Sequence, residues 1–300
     1  MTRRFQTLDV FTETPLAGNP LAVVLDAEGL DASRMQAIAA EFNLSETVFV
    51  FEPRDPINTA LVRIFTPKRE LPFAGHPTIG TAALLAHRRA ADLLSRQDLR
   101  IVLEETVGDV VCVARRRKDG ALAAAFELPK PPERLEGHVP SIEAIAPAFG
   151  LSAEDIGFDG HKPSLFSAGV PYIFVPLRSL AAIGRATPGQ VSWPSEPRPA
   201  AFLCTRETSR DGSDYHARMF GQGWGVSEDP ATGSAAAAFA GVVMAFERPA
   251  DGEHALTIEQ GFEMGRPSLI ALGLEVEGDR LKSATVGGPV VIVSTGSLDL

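Results

Sequence analysis

The sequence predicts an α+β protein of two pseudo-symmetric domains, each a curled β-sheet or barrel around a central apolar α-helix. Three observations carry that expectation. A short pattern occurs twice: Ala74 to Ala83 read A-G-H-P-T-I-G-T-A-A, and Asp229 to Ala238 read D-P-A-T-G-S-A-A-A-A. Sliding one onto the other by 153 positions matches Pro77 to Pro230, Gly80 to Gly233 and Thr81 to Ser234. Two further matches keep the same order, A-G-x-P at Ala17–Pro20 and Ala168–Pro171, and R-x-F at Arg63–Phe65 and Arg218–Phe220. Each copy of the long pattern also opens a segment apolar on every side, and such a helix belongs inside a protein. A chain of 300 residues is long enough for two cores.

The elements follow in order. A strand from Gln6 to Phe11 leads through the A-G-N-P turn into a second from Leu21 to Leu25. Asp31 then caps a helix whose apolar residues Met35, Ile38, Ala39 and Phe42 recur at helical spacing. Strands are expected at Thr47–Phe51 and Thr59–Phe65, followed by the apolar helix through Thr78–Leu85, and then strands at Leu99–Val113 and Ala121–Leu128. The prolines of Pro129 to Arg134 suit neither helix nor central strand, so the expected boundary divides the chain into residues 1–129 and 130–300. The last strand is free to pack back on the first domain. In the second half a helix begins near Ser141, and strands lie near Tyr172–Leu177, Ala200–Cys204 and Tyr215–Phe220. The second apolar helix follows Pro230, with strands near Ser268–Val276 and Val290–Ser294.

Composition narrows the function. A net charge of -10, from 28 basic and 38 acidic residues, argues against nucleic acid as the main partner. The two cysteines, Cys112 and Cys204, build neither a disulfide framework nor a cysteine-based zinc site. They are expected in the core. No apolar signal segment follows the first arginines, and the uncharged run Pro230–Phe246 falls short of a membrane span, so the expected location is cytoplasmic. The Asn43-Leu44-Ser45 sequon carries little weight without a secretory signal. No G-x-G-x-x-G, G-x-S-x-G or H-E-x-x-H occurs in a supporting context, and no cofactor and no metal are expected.

Candidate chemistry gathers at the two helix starts. If His76 or Asp229 occupies a cap position, the next backbone N–H groups lack intrahelical partners. Gly75, Gly233 and Ser234 keep bulk away from a ligand, and each helix end contributes ~0.3–2 kcal/mol towards holding a carboxylate. Plain capping without a ligand is the competing reading. Glu46 stands where a helix hands over to an apolar strand. It is either a solvent-facing loop glutamate or a carboxyl group aimed into a semi-apolar cleft. In the second case desolvation raises its pKa from ~4.3 to ~6–7, at a cost of roughly 3 kcal/mol. Its counterpart at the 153 spacing is Pro199, with Glu196 three positions away. A single main base disfavours symmetrical two-base racemisation. A metal set of Glu46, His76, His216 and Asp229 is a weaker alternative.

The same residues carry a resemblance. F-T-E-T-P-L-A-G-N-P-L-A-V-V near the start, N-L-S-E-T-V-F-V at 43–50 and R-I-F-T-P-K-R-E-L-P-F-A-G-H-P-T-I-G-T-A at 63–82 resemble the phenazine-biosynthesis PhzF-like isomerase family. E-D-P-A-T-G-S-A-A at 228–236, M-G-R-P-S at 264–268 and V-G-G-P at 286–289 extend the likeness almost end to end. The family is similar in fold to diaminopimelate epimerase and proline racemase. The resemblance implies an active site in the cleft between two such domains, no organic cofactor or metal, and a homodimer. It gives Glu46 the role of proton shuttle, with His76 and Asp229 orienting the substrate and Gly75 and Ser234 helping to hold its carboxylate. Cysteine-dependent epimerases of this fold place a cysteine at each helix start, and this chain does not.

The function expected is a cofactor-independent isomerase moving a proton on a small cyclic carboxylate through Glu46, without nucleic acid or membrane partners. The alternative is a non-catalytic small-molecule-binding or interaction protein that keeps the fold. A metal-dependent hydrolase is a third class.

Overall fold

The computed structural model describes residues 2–136, 139–189, 191–193, 198–222 and 226–300. Glu196 lies outside the described residues. The chain forms two compact units, one of residues 1–127 with 287–300 and one of residues 128–286.

In the first unit β1 (Thr2–Val10) and β2 (Asn19–Val24) form a hairpin, followed by α1 (Ala32–Phe42), β3 (Glu46–Phe51) and β4 (Ala60–Phe65). The short β5 (Glu70–Leu71) delivers the chain to α2 (Gly75–Leu94), after which come β6 (Leu99–Glu105), β7 (Gly108–Arg116) and β8 (Leu122–Glu127). The single strand expected over Leu99–Val113 is a hairpin. The chain reverses at Gly108, whose φ of +124° suits glycine.

The second unit begins with β9 (Glu133–Arg134), α3 (Ile142–Ala148), a 3₁₀ turn (Ala153–Asp155), β10 (Ser164–Ser167) and β11 (Pro171–Pro176). It continues through α4 (Leu180–Arg185), β12 (Ala200–Thr205), β13 (Tyr215–Gly221) and β14 (Val226–Asp229) into α5 (Gly233–Phe246). Then come β15 (Gly252–Gln260), β16 (Ser268–Glu277) and β17 (Arg280–Asp299), whose later part belongs to the first unit. The expected linker ends in a strand, since Glu133 and Arg134 pair with Ser167 and Phe166.

β17 pairs with β1 on one side and β8 on the other. With the β1–β2–β3–β4–β6–β7–β8 pairings this closes a ring of eight strands around α2. Closure passes through the V-G-G-P motif. A side chain at Gly287 would sit 2.5 Å from the Ala125 Cβ and 2.8 Å from the Ala124 carbonyl.

Residue alternation explains why β2 and β3 are buried on both faces. Phe49 joins Met35, Ile38 and Ala39 of α1 in an outer cluster, while Val48 and Val50 lie on the opposite face, towards α2. The second unit repeats this. Ile173 and Val175 pack with Ile145 of α3 and Ile183 of α4, whereas Phe174, on the other face, meets Phe239 of α5 at 5.8 Å between ring centres. α2 is buried from Gly75 to Ala86, and α5 from Ala235 to Val243. Asp31 caps α1 as expected, accepting the Arg34 N–H at 2.8 Å. Both cysteines are buried and unbridged. No helix among the described residues is long and apolar enough to cross a membrane.

Strands approach the central helices closely where the helices carry glycine. A Cβ on Gly80 would lie 2.6 Å from Leu21 Cδ2 and 2.9 Å from Val10 Cγ2, and one on Gly241 would lie 2.5 Å from the Phe166 ring. Gly80→Val should therefore lower unfolding free energy by about 1–3 kcal/mol. The check is a fall in the urea midpoint at unchanged slope, and an unmoved midpoint would show that the contact is not tight.

Candidate active site

The two central helices are entered in the same way. In the first unit Arg63 grips Glu70 through Nε and Nη2, at 2.7 and 2.6 Å. In the second, Arg218 grips Glu228 at 2.7 and 2.9 Å and also donates to the Ile183 and Ala186 carbonyls. Such two-pronged ion pairs hold both position and orientation. Ile64 lies opposite Leu71, as Met219 lies opposite Asp229. Five residues after each glutamate the helix begins, at Gly75 and at Gly233.

The structure therefore equates Pro72 with Pro230, Ala74 with Thr232, Gly75 with Gly233 and His76 with Ser234. The 153 spacing misaligns the helix starts, because Pro77 lies in the first turn of α2 whereas Pro230 precedes α5. Small residues recur at several registers in any tightly enclosed helix. The arginine-held glutamates fix the register.

Neither His76 nor Asp229 is a cap. The caps are Ala74 and Thr232, and no side chain caps either helix. Alanine has no acceptor to offer, and the Thr232 hydroxyl is turned to Asp229 Oδ2, 2.5 Å away. The first-turn N–H groups of Gly75 and His76, and those of Gly233 and Ser234, thus sit at the positive ends of two helices without a side-chain acceptor. That is the arrangement that favours a bound anion.

In the first unit α1 ends at Asn43 in the left-handed conformation, and three residues later β3 opens with Glu46, half-buried and opposite Leu21 of β2. The neighbouring A-G-N-P turn needs its glycine. Gly18 has φ +66°, and a side chain there would meet the Val10 carbonyl. This turn places the Pro20 carbonyl where the His76 imidazole donates to it. His76 Nε2 lies 3.4 Å from Glu46 Oε2. Burial pushes the His76 pKa down to about 3, against the opposing pull of the Pro20 bond. The ring is neutral, and the proton given to Pro20 is on Nδ1, because Nε2 makes no hydrogen bond. Nε2 thus turns a lone pair towards Glu46.

In the second unit Asp229 ends β14. Gln260, at the end of β15, donates to the Asp229 carbonyl at 2.7 Å and accepts from Thr232 N–H at 3.1 Å. It thereby ties the Asp-Pro-Ala-Thr turn to the sheet. Ser234 Oγ lies 2.7 Å from the hydroxyl of the buried Tyr172.

Strand register also identifies the counterpart of Glu46. Leu21 faces Glu46 as Tyr172 faces Ala200, and both follow the repeated A-G-x-P turn. The equivalent position is thus Ala200 and not Pro199, and it bears no carboxylate. His216 belongs to another cluster, with Nδ1 2.7 Å from Glu259 and Nε2 2.9 Å from Glu263. Burial opposes its charge, but the two carboxylates outweigh burial and raise its pKa. No group of three or more His, Cys, Asp or Glu residues is arranged to hold a metal ion among the described residues. Tyr172, Glu105 and Gln260 lie outside the quoted motifs, and Thr78 lies inside the first without a role assigned to it. The available signal is the pairing of L-E-E-T at 103–106 with I-E-Q-G at 258–261.

The low His76 pKa has a direct consequence. Below about pH 6.5 the unfolded chain takes up a proton that the folded chain refuses. The stability contributed is full above that pH and falls by roughly 1.4 kcal/mol per unit as pH drops towards 3. Urea unfolding between pH 4 and 7 should show this limb in the wild type and a shallower one in His76→Asn. Equal slopes would contradict a neutral buried imidazole.

The phenazine biosynthesis-like family, PhzC-PhzF, matches residues 8–296. An uncharacterised isomerase of Mesorhizobium japonicum is 49% identical, over 99% of both chains. The trans-2,3-dihydro-3-hydroxyanthranilate isomerase of Pseudomonas chlororaphis is 36% identical, over 98% of both. Among solved structures, the Bacillus anthracis PhzF-family protein superposes with a TM-score of 0.88 at 25% identity, covering all of both chains. A hydroxyproline epimerase from Agrobacterium vitis shares the fold, with a TM-score of 0.64 at 14% identity over 99% of this chain and 91% of its own. The curled-sheet architecture is therefore the epimerase-like one, and the chain belongs to the PhzC-PhzF, phenazine biosynthesis-like family of isomerases.

Proposed function

We propose that this isomerase moves a proton between carbons of a small cyclic carboxylate, with Glu46 as the acid/base group. The observation that carries the reading is the Glu46 carboxyl group 3.4 Å from the lone-pair nitrogen of a neutral, buried His76 at an uncapped helix start. As a carboxylate, Glu46 takes a proton from a ring carbon. The electron pair of that C–H bond moves into the adjacent unsaturation. The Glu46 acid then returns a proton to a second carbon, so one C–H bond breaks, another forms, and nothing is oxidised or reduced.

His76 Nε2, an acceptor, receives a hydrogen bond from the Glu46 acid or from a substrate hydroxyl or amine. It orients a donor rather than the substrate carboxylate, which suits the N–H groups at the start of α2 instead. In the second unit the Asp229 carboxyl group, held by Thr232, stands beside the N–H groups of Gly233 and Ser234 at the corresponding helix start. The dihydro-hydroxyanthranilate acted on by the Pseudomonas relative supplies the substrate class.

General acid/base catalysis of this kind contributes about 10²–10⁴-fold. Wild-type protein given trans-2,3-dihydro-3-hydroxyanthranilate, then a panel of related cyclic carboxylates, in deuterated water should incorporate solvent deuterium. Glu46→Gln should lose the reaction by at least roughly 10²-fold, with unchanged far-UV dichroism. Wild-type exchange in the variant would end the proposal.

A further inference from the structure

Strand register equates two pairs of residues that the chemistry above does not use. Leu61 faces Glu104 as His216 faces Glu259, so Glu104 corresponds to Glu259 and Glu105 to Gln260. The first pair confirms the equivalence by its bonding. Glu104 accepts the N–H groups of Arg54 and Asp55 at 3.0 and 2.8 Å, and Glu259 accepts those of Ser209 and Arg210 at 2.5 and 3.2 Å.

In the second pair, Gln260 binds the Thr232 N–H and the Asp229 carbonyl at the entry to α5. Glu105 Oε1 lies 2.6 Å from the Thr78 hydroxyl, which lies 2.8 Å from the carbonyl of Ala74, the cap residue of α2. Thr78 has one hydroxyl proton, and a carbonyl can only accept it. That leaves the Glu105–Thr78 contact in need of a proton from Glu105.

We propose that Glu105 is a positioning residue, a neutral carboxylic acid that holds the start of α2 through Thr78, as the Gln260 amide holds the start of α5. Its effect on turnover rests on the function proposed above; the clamp itself does not.

The surroundings fit an uncharged group. Glu105 Oε2 is buried without a hydrogen-bond partner, a costly place for an ionised oxygen. Burial pushes its pKa up to about 8. From β7 the titratable group near it is the Cys112 thiol, itself pushed up by burial and by Glu105. α2 contributes the Thr78 hydroxyl. Ionisation of Glu105 would set a negative charge beneath the helix end that presents Gly75 and His76, and would remove the donor from the clamp.

The test compares full-length wild type, Glu105→Gln and Thr78→Val. Infrared difference spectra against pH should show the carbonyl stretch of a protonated acid in the wild type, bleaching with a midpoint near 8. The band should be missing from Glu105→Gln. In Thr78→Val its midpoint should move down, because the acid loses the acceptor that holds its proton. The folded wild type retains a proton that the unfolded chain releases, so its stability should fall relative to Glu105→Gln as pH rises from about 4.5 to about 8, and then level off. Deuterium exchange into the substrate should decline above about pH 8 in the wild type and lack that limb in Glu105→Gln.

Identical infrared titrations in wild type and Glu105→Gln, a stability gap independent of pH, or failure of Glu105→Gln to fold would each overturn the clamp. If the infrared and stability results hold while neither protein exchanges deuterium into any cyclic carboxylate, the clamp stands and the proposed function falls.

Discussion

A helix enclosed by strands on every side leaves the N–H groups of its first turn facing only the gap through which the chain enters. In both units that gap lacks a side-chain cap, since Ala74 has no acceptor and Thr232 is committed to Asp229. The rest of each unit exists to make this end stable. Arg63 and Arg218 anchor the short strands that lead in, and Gly80 and Gly241 allow the sheet to close tightly on the helix. The outer helices α1, α3 and α4 cover the far side of the same strands. The unpaired first-turn N–H groups make this end positive, and enclosure sets the properties of the residues beside it. His76, in the first turn, is neutral because it is buried there.

Duplication sets the frame, and substitution within it supplies the chemistry. Position by position, His76 stands against Ser234, Leu71 against Asp229, Glu46 against Ala200 and Glu105 against Gln260. The structural devices are repeated: the arginine–glutamate pairs, the A-G-x-P turns, and the Glu104 and Glu259 carboxylates that gather backbone N–H groups. The groups at the helix entries have diverged. One half offers a carboxyl group beside a neutral imidazole. The other offers a carboxylate held by threonine, and a serine bonded to tyrosine. A reaction with one main acid/base group agrees with that inequality better than one needing matched bases.

The sequence by itself determined the two-fold internal repeat, the enclosed helices and most of their strands, because apolar periodicity and glycine–proline turns are local signals. It also singled out Glu46, His76 and Asp229, which stand beside those signals. It misread Leu99–Val113 as one strand, since the reversal at Gly108 follows a two-residue turn within an apolar stretch. It also paired Pro77 with Pro230, because small residues look alike at several registers. Tertiary structure alone decided the true register, through arginine–glutamate pairs and strand neighbours far apart in the chain. It likewise decided that His76 is neutral and that Ala200 answers Glu46. These are matters of burial and distance, and both depend on which strands lie side by side.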